Sequence, residues 1–306
     1  MNISAAMVKD LRLKTGAGMM DCKKALIEAE GDLDKAVDIL RKKGIAKAAK
    51  KADRVASEGA ITIEISDDYK CATISEINSE TDFVAQNDNF QALVKKATKH
   101  IHVTAPDTVE DLLETEIDGI KFEEFMKAQI AKIGENIIVR RFDRICVEGN
   151  GVVNGYLHMG GKIGVIVAAV CDKPEVCDSI KDILKDIAMH IAAMNPKYLD
   201  ESSIPESVIE KEKEIAVAQL EKEGKPANII EKILPGKIKK FVEENTLLGQ
   251  KFVKDDKKTV RQVLEEAAKK AGGTAKIVEF VRYELGEGIE KKGCSFAEEV
   301  AQQLGE

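Results

Sequence analysis

An α+β fold is predicted by three features of the sequence. The apolar spacing is helical over about the first 54 residues and then turns strand-like. Two strand pairs follow, each with a helix behind it and a lone strand later in the chain. The two halves also match in detail: His100-Ile101 and His190-Ile191, and likewise Pro106 and Pro196, lie 90 residues apart. Together these predict a duplicated unit of hairpin, helix, helical insertion and third strand. Two such units make a core of three-stranded antiparallel sheets with packed helices.

The N-terminal region, 1–54, reads as three short helices. Met7, Val8 and Leu11 share a face of the first, which Thr15-Gly16 stops. Ala25, Leu26 and Ala29 line the second, stopped by Gly31. Asp32 caps the third, with Ala36, Val37, Ile39 and Leu40 inward and Gly44 at its end. Met19 and Met20 sit at a helix junction, where methionines are usually core filler and less often an adaptable binding surface. Residues 41–54 are basic, with Arg41, Lys42, Lys43, Lys47, Lys50, Lys51 and Arg54 against Asp53. A solvated helix end and linker is the plainer reading, and docking against an acidic partner the alternative.

The first core half, 55–147, opens with the strand 60–65, whose three isoleucines alternate. A turn at 67–70 returns the chain as the strand 71–78. A helix follows to about His102, and Pro106 breaks it. A second helical piece carries Phe122, Phe125, Met126, Ile130 and Ile133, and Gly134 ends it. The third strand is 137–147. The second half, 148–285, repeats this with strands 151–156 and 162–171 about the turn His158-Met159-Gly160-Gly161. Its helix runs from about Glu175 to Met194, and its third strand is 276–285. Between them, about 205–242, a longer insertion reads as a projecting antiparallel helical hairpin turned at Gly224-Lys225-Pro226. Its apolar seam serves either its own two helices or an oligomer contact. The remainder, 286–306, is a C-terminal module in which Phe296, Ala297, Val300 and Leu304 line an amphipathic helix.

Composition narrows the function. The chain has 306 residues, 33% of them charged, and a net charge of -7, which disfavours a dedicated polyanion binder. No secretory signal is visible, and the apolar run 163–171 is too short to span a bilayer. The six cysteines have neither Cys-x-x-Cys pairing nor a histidine at zinc spacing, so they are expected reduced and packed as small apolar groups. The Gly16-Ala17-Gly18 loop lacks a preceding strand and a Walker sequence. No catalytic motif is present. His100 and His190 occupy equivalent places and read as structural, while His158, in a turn beside glycines, reads as exposed.

One stretch stands apart, Asn78-Ser79-Glu80-Thr81-Asp82-Phe83-Val84-Ala85. Thr81 can cap the helix that begins there. Asp82 and Phe83 then occupy its first turn, where the helix dipole favours the carboxylate. Spacing alone favours Phe83 folded inward as core. The other reading is a wedge that offers a charge and a ring to a partner.

Two motifs, Val8-Lys9-Asp10-Leu11-Arg12-x-x-Thr15-Gly16-Ala17-Gly18-Met19-Met20-Asp21-Cys22-Lys23-Lys24-Ala25-Leu26 and Thr81-Asp82-Phe83-Val84-Ala85, closely resemble the bacterial elongation factor Ts family. The resemblance continues through Ala131-Lys132-Ile133-Gly134-Glu135-Asn136, His190-Ile191-Ala192-Ala193 and Gly286-Glu287-Gly288-Ile289-Glu290-Lys291. It implies a ubiquitin-associated-like N-terminal domain and a guanine-nucleotide exchange factor for elongation factor Tu that acts during translation elongation. Such a factor is not an enzyme and needs no cofactor or metal. The resemblance implies that Asp82 and Phe83, flanked by Thr81 and Val84, enter the partner's G domain beside its Mg2+ site. It also implies contacts from Lys23, Lys51, Ile133, Gly134, His158 and Val253. Lys254 stands where the family has an apolar contact residue, and Ser79-Glu80 where it often has a cysteine. A cytoplasmic protein is implied, with no membrane and no direct nucleic-acid partner; a dimer of heterodimers is allowed.

Overall fold

The computed structural model describes residues 3–289, so the expected helix at 296–304 lies outside the described residues. The chain divides into two compact units. Among the described residues, one comprises 3–60, 76–141 and 284–289; the other comprises 61–75 and 142–283.

Three helices open the chain: α1 (Ala5–Thr15), α2 (Met19–Glu28) and α3 (Leu33–Ala49). Gly16 ends α1 at φ 67°, a left-handed conformation that suits glycine. Asp32 caps α3 by accepting from the N–H groups of Asp34 and Lys35. Val8, Leu11, Cys22, Ala25, Leu26 and Ala36 form their shared core. Gly44 does not stop α3, which runs on to Ala49. It is buried, and a Cβ there would lie 3.4 Å from that of Ala131. The glycine permits close helix packing. The expected linker at 41–54 is therefore largely helix. Its cations pair within the unit: Arg41 with Glu124, Lys43 with Glu28, Lys47 with Asp21 and Arg54 with Glu80.

After the helices come β1 (Glu58–Ile65), β2 (Cys71–Ser79), α4 (Asp82–Ala85), α5 (Asp88–Thr104) and α6 (Val109–Glu114). A small ribbon of β3 (Glu116–Ile117) and β4 (Ile120–Lys121) leads into α7 (Phe122–Ile133) and then β5 (Ile137–Cys146). The expected single helix from Asp82 is divided because Asn87 caps a new start, accepting from Asn89 N–H at 2.9 Å. The second half has β6 (Gly151–His158), β7 (Ile163–Cys171), α8 (Pro174–Ser179) and α9 (Lys181–Met194). The hairpin pair α10 (Glu206–Lys222) and α11 (Ala227–Asn245) packs together through Ala216, Leu220 and Ile230. β8 (Lys251–Phe252), β9 (Asp255–Thr259), α12 (Val260–Lys270) and β10 (Ala275–Glu284) complete the described chain.

The two larger sheets have matching order, β1-β2-β5 and β6-β7-β10, with the hairpin's second strand central in each. β6 and β7 pair antiparallel from Gly151↔Val170 to His158↔Ile163, so the strand reaches two residues further than the sequence suggests. Central position buries a strand on both faces, and β7 is buried from Gly164 to Ala169. α9 covers this sheet with Leu184, Ile187, Ala188 and Ile191. The likeness of the halves extends to detail. Ala105 and Asn195 both end helices in the left-handed region. His100 stacks on Phe122, and His190 on Phe252.

The cysteines depart from expectation. Cys71, first in β2, and Cys146, last in β5, form a disulfide with their Cα atoms 4.2 Å apart. They lie 75 positions apart in sequence, and only the neighbouring of the two strands brings them face to face. Cys22, Cys171 and Cys177 are free thiols, Cys22 and Cys177 being buried as expected.

Candidate functional site

Phe83 is 86% exposed, the most exposed large apolar residue among those described. The inward reading is therefore overturned. The reason is local: α4 is a single short turn, and its inward position is taken by Ala85, which is buried. Thr81 caps α4 as the sequence predicts, its hydroxyl accepting from Val84 N–H at 3.3 Å. Asp82 is exposed beside Phe83 and makes no ion pair among the described residues. A ring and a carboxylate thus project together from the first turn.

What holds that turn comes from far along the chain. The Glu135 carboxylate accepts from the backbone N–H groups of Glu80 and Thr81 at 3.1 and 3.0 Å. Its other oxygen accepts from the Thr81 hydroxyl at 2.6 Å. Reciprocally, the Glu80 carboxylate accepts from Asn136 N–H at 2.6 Å. Asn136 donates its side-chain amide to the carbonyls of Ala52 and Arg54. The Lys51 ammonium donates to the Gly134 carbonyl. Gly134 itself ends α7 at φ 96°. Residues 51–54, 79–82 and 133–136 thus converge, which places Lys51, Ile133 and Gly134 with Thr81, Asp82, Phe83 and Val84. Sequence reasoning gave Glu80 and Glu135 no role, because partners more than fifty positions apart leave no mark in local spacing.

Other expected contact residues stand elsewhere. On α2, Cys22, Ala25 and Leu26 face inward, which leaves Met20, Lys23 and Ile27 on the outer face. Met19 and Met20 are 54% and 62% exposed, so they are not core filler. In the second unit His158 is exposed at the end of β6, its Nδ1 3.1 Å from the Tyr156 hydroxyl. Val253 is 47% exposed in the turn between β8 and β9. Its N–H donates to Nδ1 of His190 at 3.1 Å, while His190 Nε2 lies 2.9 Å from Gln250 Oε1. Burial lowers the His190 pKa against the Gln250 hydrogen bond, keeping the ring neutral and able to accept from Val253. Lys254 pairs with Asp186 at 2.6 Å, on its own unit.

Among the described residues no group of three or more histidine, cysteine or acidic side chains could hold a metal ion. No described helix is long and apolar enough to cross a membrane. The site's geometry offers contact surface: an exposed ring and charge on a braced turn.

Comparison with known proteins sets the chain among the translation elongation factors. The family described as Elongation factor TS matches residues 80–287. Elongation factor Ts of a Nitratiruptor species is 77% identical over 304 residues, covering 99% of this chain and all of that protein. Those of Nautilia profundicola and Campylobacter concisus are 59% and 48% identical, over 99% and 100% of the chain. The chain belongs to the elongation factor Ts family, the nucleotide exchange factors of elongation factor Tu in translation elongation.

Proposed function

We propose that the chain promotes GDP release from elongation factor Tu by inserting Asp82 and Phe83 beside the partner's Mg2+ and phosphate site. The observation that carries this reading is the exposure of Phe83 on a turn held by Glu135. An aromatic ring left in water on a braced turn gains by entering an apolar pocket, about 1.5–3 kcal/mol for full burial. Bound GDP relies on Mg2+, whose octahedral shell needs near-ideal geometry. Displacing that shell removes a large local charge from beside the phosphates. Asp82 acts by rearranging the groups that hold the metal's waters rather than as a new ligand.

Binding of factor and nucleotide is reciprocal, so each loosens the other by the same factor. A roughly 10⁴-fold shift needs about 5.5 kcal/mol of differential affinity. One ring does not reach that figure. We therefore assign the remaining affinity to Lys23, Lys51, Ile133, Gly134, His158 and Val253, with Thr81 and Val84 shaping the wedge. The same reading takes 1–54 as a three-helix ubiquitin-associated-like domain, 55–147 and 148–285 as two core halves, the second carrying the helical hairpin at about 205–242, and 286–306 as a C-terminal module. It takes the protein as cytoplasmic, with the helical hairpin available for a dimer of heterodimers.

Phe83→Ala and Asp82→Ala are each expected to slow release of a fluorescent GDP in stopped-flow mixing, with the fold unchanged by circular dichroism. Release at the wild-type rate from the double variant ends the wedge account.

A further inference from the structure

We infer that Glu135 is a positioning residue for exchange: its carboxylate fixes the angle at which the Asp82-Phe83 turn meets the partner. This deepens the wedge reading and rests on it.

The geometry has four parts. Glu135 makes three hydrogen bonds to Glu80 and Thr81, the two residues that precede the wedge. A charged acceptor taking three donors is among the stronger neutral-partner arrangements available to a carboxylate. Those donors are the backbone groups that set the direction of α4, together with the hydroxyl that caps it. Glu80 returns the arrangement by accepting from Asn136 N–H, one residue beyond Glu135. Each glutamate therefore holds the backbone beside the other, and two segments 54 to 56 positions apart are joined from both sides. Neither loop can tilt without the other.

The apolar support for α4 is slight, since only Ala85 in it is buried. A four-residue helix with one buried alanine has little packing to hold its orientation. Hydrogen bonds from Glu135 supply what packing does not. A ring that must enter a pocket works only when its approach is fixed beforehand, because misplacement by about 1 Å can cost on the order of 10²-fold in rate.

Glu135→Ala is expected to lower the GDP-release rate at saturating factor by about tenfold or more. The factor concentration at half-saturation should change less, because the distributed contacts remain. Glu135→Gln keeps one oxygen for the two N–H groups and is expected to recover most of the rate. Glu80→Ala, which removes the reciprocal half, is expected to act in the same direction and serves if Glu135→Ala fails to fold. The deciding measurement is a double-mutant cycle with Phe83→Ala. Should Glu135 act through the wedge, Glu135→Ala adds less than about twofold once Phe83 is gone, the coupling expected of neighbouring residues. Full additivity, or a wild-type maximal rate for both Glu135→Ala and Glu80→Ala, overturns the inference even where Phe83→Ala slows release. A Phe83→Ala protein that exchanges normally removes the wedge reading itself, and the role of Glu135 with it.

Discussion

At the scale of single residues, the protein separates groups that stabilise from groups that bind. Phe83 is exposed, so Phe83→Ala should leave the thermal midpoint nearly unchanged, within the roughly ±0.5 kcal/mol usual for surface changes. Glu76 is the opposite case. Its side chain is fully buried, and its carboxylate accepts from Arg140, Arg141, Asn78 and the Gly286 N–H. Burial opposes ionisation, yet the Gly286, Arg141 and Arg140 hydrogen bonds outweigh it and hold the carboxyl below its ordinary value. A depressed folded pKa stabilises above the unfolded value, about 4.3, and that stability is lost as pH falls through the folded value. His190 is also depressed, by burial. Its contribution is complete above about 6.5 and declines as pH falls, because the unfolded chain takes the proton first. The thermal midpoint should therefore fall from about pH 7.5 to about pH 5, and less steeply in His190→Gln. An unchanged slope in that variant assigns the dependence to other groups.

Elements add constraints that single residues do not carry. The Cys71–Cys146 bond ties the start of β2 to the end of β5. Closing a loop of 75 positions stabilises by about 4 kcal/mol in the chain-entropy model. A reducing agent should lower the thermal midpoint of the wild type and leave Cys71→Ser unaffected. Equal midpoints with and without reductant in the wild type contradict this. The packing of α3 on α7 gives a second case. Gly44 leaves only 3.4 Å for a Cβ against Ala131, so Gly44→Leu should destabilise by about 1–3 kcal/mol through overpacking. Chemical denaturation measures it directly. Helix caps were legible beforehand, Asp32 and Thr81 both acting as their residue types imply. The run of α3 through Gly44 was not, because a helical glycine and a stopping glycine look alike until the neighbouring helix is present.

For the whole molecule, the exposed residues assigned to docking occur in both units: Lys23 in one, His158 and Val253 in the other. Lys23→Ala and His158→Ala should each raise the half-saturating concentration in the exchange assay while leaving the maximal rate near wild type. A drop in maximal rate instead would place these residues in the release step. The basic segment 41–54 has Arg41, Lys43, Lys47 and Arg54 engaged by acidic side chains. Steep salt-dependent RNA binding needs free cations, so fluorescence anisotropy with single-stranded RNA should show little affinity at physiological salt.

The sequence by itself marked the main helices and strands, their order and the likeness of the halves, but not the β3–β4 and β8–β9 ribbons, α12 or the helix break at Asn87. It also marked Thr81-Asp82-Phe83 as the stretch to watch. These depend on spacing, caps and breakers, which act over a few residues. Tertiary structure decided whether Phe83 faced inward or outward, which loop braced it, and that Cys71 met Cys146. The brace and the disulfide depend on strands and loops fifty or more positions apart arriving side by side, and local periodicity carries no record of that arrival; the outward ring follows from α4 being one short turn with Ala85 inward.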